Sequence, residues 1–187
     1  MSSVKKVLHV GCGPCNKDKL PKIFKGPEWK EIRLDIDPAV QPDITASITD
    51  MHPIESESMD ALYSSHNIEH LYPHEVELAL REFRRVLKTD GYALITCPDI
   101  QIVARHIAEG RLEDTLYTSP AGPIAPIDIL YGHRPSLARG NLFMAHKTGF
   151  TAQSLGNAII SAGFVKAQVK RDEKNFNLWA RAYKRKQ

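Results

Sequence analysis

The chain has 187 residues, 42% hydrophobic and 25% charged, which suits one globular domain with a sizeable core and leaves no length for a dinucleotide domain joined to a separate substrate domain. A formal charge of +3 is too small to point to nucleic acid, and the basic Lys184, Arg185 and Lys186 read as a solvated terminus. Three cysteines, no apolar stretch of about 18 residues and no signal-like leader after Met1 lead us to expect a reducing, cytoplasmic setting without membrane association.

The first apolar run, 6–10, stops on Gly11-Cys12-Gly13-Pro14, and the second, 31–35, ends in Leu34-Asp35-Ile36-Asp37-Pro38. Glycine permits positive φ and close approach of backbone to a ligand, and an acid about 20 residues on, at the tip of the next strand, accepts from ribose hydroxyls. The expected ligand is an adenosine-containing cofactor. A dinucleotide fingerprint needs a third glycine and a helix N-terminus at the pyrophosphate, but Asn16 stands at that position and Pro14, Pro21 and Pro27 interrupt the segment. S-adenosylmethionine carries no phosphate and needs only the glycine turn and the acid.

Further strands are expected at 44–48, 59–64 and 92–97. Between the last two, the spacing predicts a helix over 74–88 with Val76, Leu80, Phe83 and Leu87 on one face and Gly91 closing it. Asp99 can cap a helix carrying Ile100, Val103 and Ile107, which Gly110 ends. The stretch 111–150 loses periodicity and carries eight glycines and prolines, as binding loops and lids do. Thr151 restarts a helix with Leu155, Ala158, Ile159 and Ala162 inward, and strands at 164–170 and 176–183 are close enough to form a hairpin. The expected fold is α/β: a doubly wound, mostly parallel seven-stranded sheet with a C-terminal antiparallel hairpin, in one domain over 1–187.

Two motifs compete for the same residues. Cys12-Gly13-Pro14-Cys15 matches a thioredoxin tetrapeptide, yet Gly11 precedes it and prolines follow where a long helix is required, so Cys12 reads as a small residue in a tight turn and Cys15 as incidental. His66-Asn67-Ile68-Glu69-His70 matches H-x-x-E-H, which binds zinc when both histidines share one helix face. Ser64-Ser65-His66 leaves a strand and Pro73 follows closely, so that helix is not expected, and no metal is assigned. His9, inside an apolar strand, reads as a hydrogen-bonded core histidine.

The order of elements resembles the class I S-adenosylmethionine-dependent methyltransferase fold, a Rossmann-like fold, over nearly the whole chain. Ser58-Met59-Asp60 leading to Ser65-His66-Asn67-Ile68-Glu69-His70-Leu71 resembles that family's S-x-D and S-x-x-x-E-H-L segments. Glu82 to Gly91 is similar to its E-x-x-R-V-L-K-x-x-G, and Ala162-Gly163-Phe164 to its A-G-F turn. The sequence departs from the pattern in its interrupted first helix and in having Ser47, with Asp50 beyond, where an aspartate is usual after strand three.

The resemblance implies that Gly11 and Gly13, with Cys12 between them, flank the cofactor's amino-acid tail, and that Asp35 holds the ribose. Ile36 would pack on adenine, and Ile48, Thr49 and Asp50 would frame its far edge. In a doubly wound sheet ligands sit at the carboxyl ends of the strands, which adds the Ser65-His66 corner to the same crevice. The implied activity is methyl transfer from S-adenosylmethionine, with S-adenosylhomocysteine as product, to a small polar acceptor. His66, His133, His146 and Tyr131 are the catalytic candidates, and Tyr117, Arg134, Arg139, Asn141 and Lys147, in the same irregular segment as His133 and His146, complete a set able to grip a polar acceptor. The alternatives are a binding protein for S-adenosylmethionine without catalysis and a zinc hydrolase using His66, Glu69 and His70.

Overall fold

A computed structural model describes residues 4–14 and 19–185. Cys15 and Asn16, and with them the C-x-x-C pairing, lie outside the described residues, as does Lys186 of the basic tail. The strands are β1 (Lys5–Val10), β2 (Trp29–Asp35), β3 (Ile44–Thr45), β4 (Met59–Ser65), β5 (Leu87–Pro98), β6 (Tyr117–Ser119), β7 (Gly122–Ile124), β8 (Lys166–Asp172) and β9 (Asn177–Tyr183). The helices are α1 (Pro73–Val86), α2 (Ile100–Ala108), α3 (Pro126–Tyr131), α4 (Arg134–Ala138) and α5 (Ala152–Ser161).

Seven strands form one sheet in the order β3-β2-β1-β4-β5-β9-β8. β1 to β5 pair in parallel, while β9 runs antiparallel to both β5 and β8. The chain winds outward from β1 to β3 and then returns to place β4 on the other side of β1, so the topological switch lies between β1 and β4. Their carboxyl ends carry Gly11 and His66, and ligands in open α/β sheets bind at such a point.

α1 packs its apolar stripe, Val76, Ala79, Leu80, Phe83 and Val86, onto the main core beside Leu155 and Ile159 of α5. Burying the fully enclosed Phe83 ring contributes about 1.5–3 kcal/mol. The other face of the sheet is covered more thinly. There Phe24, in a 3-10 turn over Lys22–Phe24, meets Val7, Ala61 and Tyr63 and stands edge-on to Trp29 at 5.0 Å. Among the described residues no α-helix lies between Gly13 and β2, as the prolines there predict.

Local chemistry explains the helix ends. The Asp99 carboxylate accepts from the Gln101 amide at 3.0 Å and caps as expected, and the Thr151 hydroxyl accepts from the Ser154 amide at 3.2 Å and caps the helix it starts. Gly91, in contrast, does not close α1. The helix passes straight into extended backbone at Leu87, and the β4–β5 register jumps from Met59↔Leu87 to Ala61↔Tyr92, leaving Gly91 within an irregular stretch of β5. A Cβ there would stand 3.1 Å from the Asp60 carbonyl oxygen, so glycine serves the strand and not the helix end. β3 is also shorter than expected because the chain turns at Ser47, whose hydroxyl accepts the Thr49 amide at 3.2 Å. The stretch 111–150 contains the β6–β7 hairpin and the short helices α3 and α4, and is thus less irregular than its composition implies. Among the described residues no helix is long and apolar enough to cross a membrane.

Candidate functional site

The turn after β1 is built from two left-handed glycines, Gly11 at φ 60° and Gly13 at φ 59°. A Cβ on Gly11 would lie 2.5 Å from the Asn67 side chain, so the turn has room for backbone alone. Asp35 fastens it: Oδ2 accepts the Gly13 amide at 2.7 Å and Oδ1 the Asp37 amide at 3.0 Å. Arg33 adds a second tie by donating to the Gly13 carbonyl at 2.6 Å and to the Gln41 carbonyl at 2.8 Å.

A cavity of about 380 Å³ opens above this turn. Gly11, Gly13, Asp35, Asn67, Ile36, Ile48 and Thr49 are among its lining residues. Ile36 is 51% exposed although apolar, and Asn67 Nδ2 is buried without a partner among the described residues. A ligand with an apolar ring and a hydrogen-bond acceptor would cover the first and satisfy the second.

A second cavity, of about 520 Å³, adjoins it. It is lined by Glu69, Tyr117, Asp128, His133, His146 and Phe176, and His66, His70 and Met144 line both cavities. The insert 111–150 brings His133 and His146 to this wall through backbone contacts with the sheet's end: the Lys147 amide donates to the Glu69 carbonyl at 2.9 Å.

Residues 8–95 match the family model described as a methyltransferase domain. That match spans β1 to β5 and holds the glycine turn, Asp35 and the His66 corner. The match covers just under half of the chain, and the sheet around it has the fold of the S-adenosylmethionine-dependent methyltransferases.

Solved structures agree on the methyltransferase fold. An S-adenosylmethionine-dependent methyltransferase from Methanosarcina mazei superposes with a TM-score of 0.62 at 14% identity, over 98% of this chain and 94% of that one. A possible histamine N-methyltransferase from Thermotoga maritima gives 0.61 at 14% identity, over 96% and 82%. The 1,6-didemethyltoxoflavin-N1-methyltransferase of Burkholderia thailandensis, solved with bound 1,6-didemethyltoxoflavin and S-adenosylhomocysteine, gives 0.58 at 14% identity, over 97% and 71%. No curated protein matches the sequence.

The residues expected at the cofactor are not all on the cavity wall. Gly11, Gly13, Asp35, Ile36, Ile48, Thr49 and His66 are. Cys12 is 1% exposed and lies beneath the turn, with its amide on the Leu34 carbonyl. Ser65, the last residue of β4, is likewise off the wall. Asp50 points away to solvent, where its carboxylate accepts from the His52 amide at 3.2 Å, because the turn at Ser47 reverses the chain before it. Of the catalytic candidates, Tyr131 is 64% exposed and lines neither cavity; its carbonyl accepts the His146 amide. Its place at the end of α3 turns the ring outward. His66, His133 and His146 converge on the second cavity.

The H-x-x-E-H stretch forms no continuous helix. His66 has φ 49°, and only a 3-10 turn over Ile68–His70 follows. Glu69 is 1% exposed, with Oε1 3.3 Å from His66 Nδ1. Burial pulls the His66 pKa down, but the close Glu69 carboxylate and its charge outweigh this and hold it above the ordinary imidazole value. Burial likewise pushes the Glu69 carboxyl up, and His66, His70 and His146 together bring it below its usual value. His146 itself is lowered, chiefly by burial.

Sequence reasoning missed Asn67, Arg33 and the partnership of Glu69 with His146. Arg33 precedes Asp35 by two positions and so shares its face of β2, a signal the alternation of the strand carries. His9 is the core histidine expected, buried and bonded through Nδ1 to Glu31 Oε1 at 2.7 Å.

Proposed function

We propose that this protein moves a methyl group from S-adenosylmethionine in the first cavity to a small polar acceptor in the second. The observation that carries the reading is the meeting of the two cavities at His66, His70 and Met144, which puts a cofactor-sized crevice and a largely apolar pocket edged by His133 and His146 on either side of one wall. A protein that only held S-adenosylmethionine would have no use for the second pocket, and this favours catalysis over storage.

S-adenosylmethionine supplies an electrophilic methyl carbon on a sulfonium, so that attack by an acceptor lone pair breaks the C–S bond and releases S-adenosylhomocysteine. The chain's own contribution is chiefly position. Gly11 and Gly13 give backbone room for the amino-acid tail, with Asn67 Nδ2 as a donor to it. Asp35 presents its remaining lone pairs to the ribose hydroxyls, and Ile36 and Ile48 enclose the adenine. On the acceptor side, His133 Nε2 is buried without a partner among the described residues and lines the pocket, where it can bond the acceptor. Glu69 orients His66 through Nδ1, which leaves Nε2 at the junction to take the acceptor's proton as the new bond forms. The insert 111–150 acts as the lid: Leu142 and Phe143 are 72% and 61% exposed beside the first cavity, apolar surface that closure over a ligand would bury. The buried free thiols of Cys12 and Cys97 suit a reducing, cytoplasmic setting.

The test is calorimetry with S-adenosylhomocysteine, with NAD as control, followed by incubation with methyl-labelled S-adenosylmethionine and fractionated cell metabolites. We expect binding at roughly micromolar affinity and label in one small product. Heat with NAD instead, or label in none of the fractions while the cofactor binds, would overturn the respective halves of the reading.

A further inference from the structure

Three side chains from two distant parts of the chain converge beside the acceptor pocket. Donor atoms of Glu69, His70 and His146 all lie within 4.8 Å of one another, and among the described residues this is the one such group of metal-binding side chains. His146 arrives from the insert, 76 positions after His70.

The hydrogen bonds around the cluster fix its chemistry. His70 Nδ1 is 3.0 Å from the Ala145 carbonyl oxygen, and His146 Nδ1 is 2.7 Å from the Ile129 carbonyl oxygen. A carbonyl only accepts, so each Nδ1 carries a ring proton, and in the neutral ring each Nε2 keeps its lone pair for a ligand. This is the arrangement in which metal-ligating histidines are held, with the second nitrogen anchored to backbone. The two rings stand edge to face with centroids 4.8 Å apart, as two ligands of one ion do.

Glu69 completes the set. Both carboxylate oxygens are buried without a hydrogen-bond partner among the described residues, and the ion-pair partner in reach, His66 Nδ1, stands 3.3 Å from Oε1 alone. A carboxylate enclosed at 1% exposure with an oxygen to spare is expensive to keep unless a cation meets it. The two imidazoles beside it offer nitrogen donors to the same cation.

We propose that Glu69, His70 and His146 form a binding site for a divalent transition-metal ion, opening onto the acceptor pocket. Two neutral imidazoles and one carboxylate suit zinc, manganese, iron or cobalt better than magnesium or calcium, which prefer oxygen donors throughout. Bonds of about 2.0–2.2 Å require the donors to close by roughly an ångström, within the reach of side-chain rotation. Three protein ligands leave positions open on the side of the second cavity. There an oxygen or nitrogen of the acceptor would bind, and a proton released from it would pass to His66 Nε2 or to water. The site stands on its own geometry, whereas its use in methyl transfer rests on the function proposed above.

The intact protein, stripped with chelator and dialysed, is titrated with zinc chloride and, separately, cobalt chloride, the latter followed by visible absorption. S-adenosylhomocysteine binding is measured in parallel. We expect one ion per chain, cobalt bands of a low-coordinate nitrogen and oxygen site, and at least about 100-fold weaker binding in Glu69→Gln and in His146→Ala, with S-adenosylhomocysteine affinity kept within threefold. Should Glu69→Gln fail to fold, His146→Gln, on the insert, gives the same readout. Cys15→Ser and His52→Ala are expected to bind metal like the parent. No saturable site in a parent that binds S-adenosylhomocysteine, or a site that survives both ligand variants, or one lost in Cys15→Ser, overturns the proposal. Metal binding without S-adenosylhomocysteine binding would leave the site standing and remove the methyl-transfer reading.

Discussion

The Asp35 carboxylate accepts the Gly13 amide at 2.7 Å, joining the tip of β2 to the turn after β1. With its other oxygen on the Asp37 amide, the group is oriented before any ligand arrives. Such preorganisation spares a ligand the cost of ordering its partner. It also gives Asp35 two roles, one in the fold and one toward the ribose.

Asp35→Ala is therefore expected to weaken S-adenosylhomocysteine binding by about 1.5–3 kcal/mol, as loss of charge-assisted hydrogen bonds does, and to lower the melting temperature as well. Asp35→Asn keeps one acceptor oxygen and falls between. Calorimetry and thermal melting read the two roles separately. An affinity within twofold of the parent in Asp35→Ala would move the ribose elsewhere.

Gly11→Ala combines two penalties, a side chain at φ 60° and a Cβ 2.5 Å from Asn67. We expect it to cost about 1–3 kcal/mol. Gly140→Ala shares the positive φ, 87°, but its Cβ would meet nothing within 4 Å. Chemical denaturation of both variants separates the close approach from the dihedral strain. Equal losses would mean that Asn67 moves aside freely.

Burial pushes the Cys12 thiol above its ordinary pKa, and the side chain is 1% exposed. Thiolate character and access both govern thiol chemistry, and Cys12 lacks both. In the folded protein it is expected to resist a thiol-titrating reagent that labels it after denaturation, and the protein is expected not to reduce insulin disulfides. Labelling of native Cys12 within seconds would restore the redox reading of Cys12-Gly13-Pro14-Cys15.

The features legible in the sequence are those whose causes are local. The apolar runs of β1, β2, β4 and β5, the stripe of α1, the caps Asp99 and Thr151 and the left-handed Gly11 and Gly13 each depend on a few neighbouring residues. What was not legible depends on distant pairing. Gly91 looks like a helix stop, but the register of β4 against β5 decides its place. Asp50 looks like an adenine-edge acid until the turn at Ser47 sends it outward. Glu69 and His146 are 77 positions apart, and only the docking of the insert, through the bridge Gly132↔Ala145 and the Lys147 amide on the Glu69 carbonyl, brings them together.

The insert has its own acid-sensitive anchor. Asp128 is buried, which raises its pKa, but bonds from the Arg134 guanidinium at 2.8 Å and the Ala125 amide at 2.9 Å outweigh this and hold it below the usual carboxylate value. A depressed folded pKa means that the stabilisation is complete above the unfolded value of about 3.9 and is lost as the pH falls through the lower, folded one. Since the Arg134 side chain is 48% exposed, solvent screens the pair, and Asp128→Asn should cost about 1 kcal/mol at neutral pH. The gap between parent and variant in denaturation curves is expected to hold steady above about pH 5 and to shrink below about pH 4. A gap that grows on acidification would reverse the sign of the argument.

The acceptor pocket makes the sharpest distinction between residues that the sequence could not tell apart. Tyr131 and His133 are two positions apart, yet the Tyr131 ring is 64% exposed while His133 is 8% exposed, with Nδ1 on the Ser136 hydroxyl at 2.8 Å and Nε2 unpartnered at the cavity. A buried nitrogen left open toward a pocket is placed to bond whatever fills it. His133→Ala is expected to lower methyl transfer to the true acceptor by about 10-fold or more, the effect of losing a buried hydrogen bond of roughly 1.5 kcal/mol. S-adenosylhomocysteine affinity should stay unchanged, because His133 touches the second cavity and not the first. Tyr131→Phe should leave both quantities at parental levels. Full activity in His133→Ala, or loss of activity in Tyr131→Phe, would mean that the insert closes over the acceptor with a different face from the one turned to the pocket.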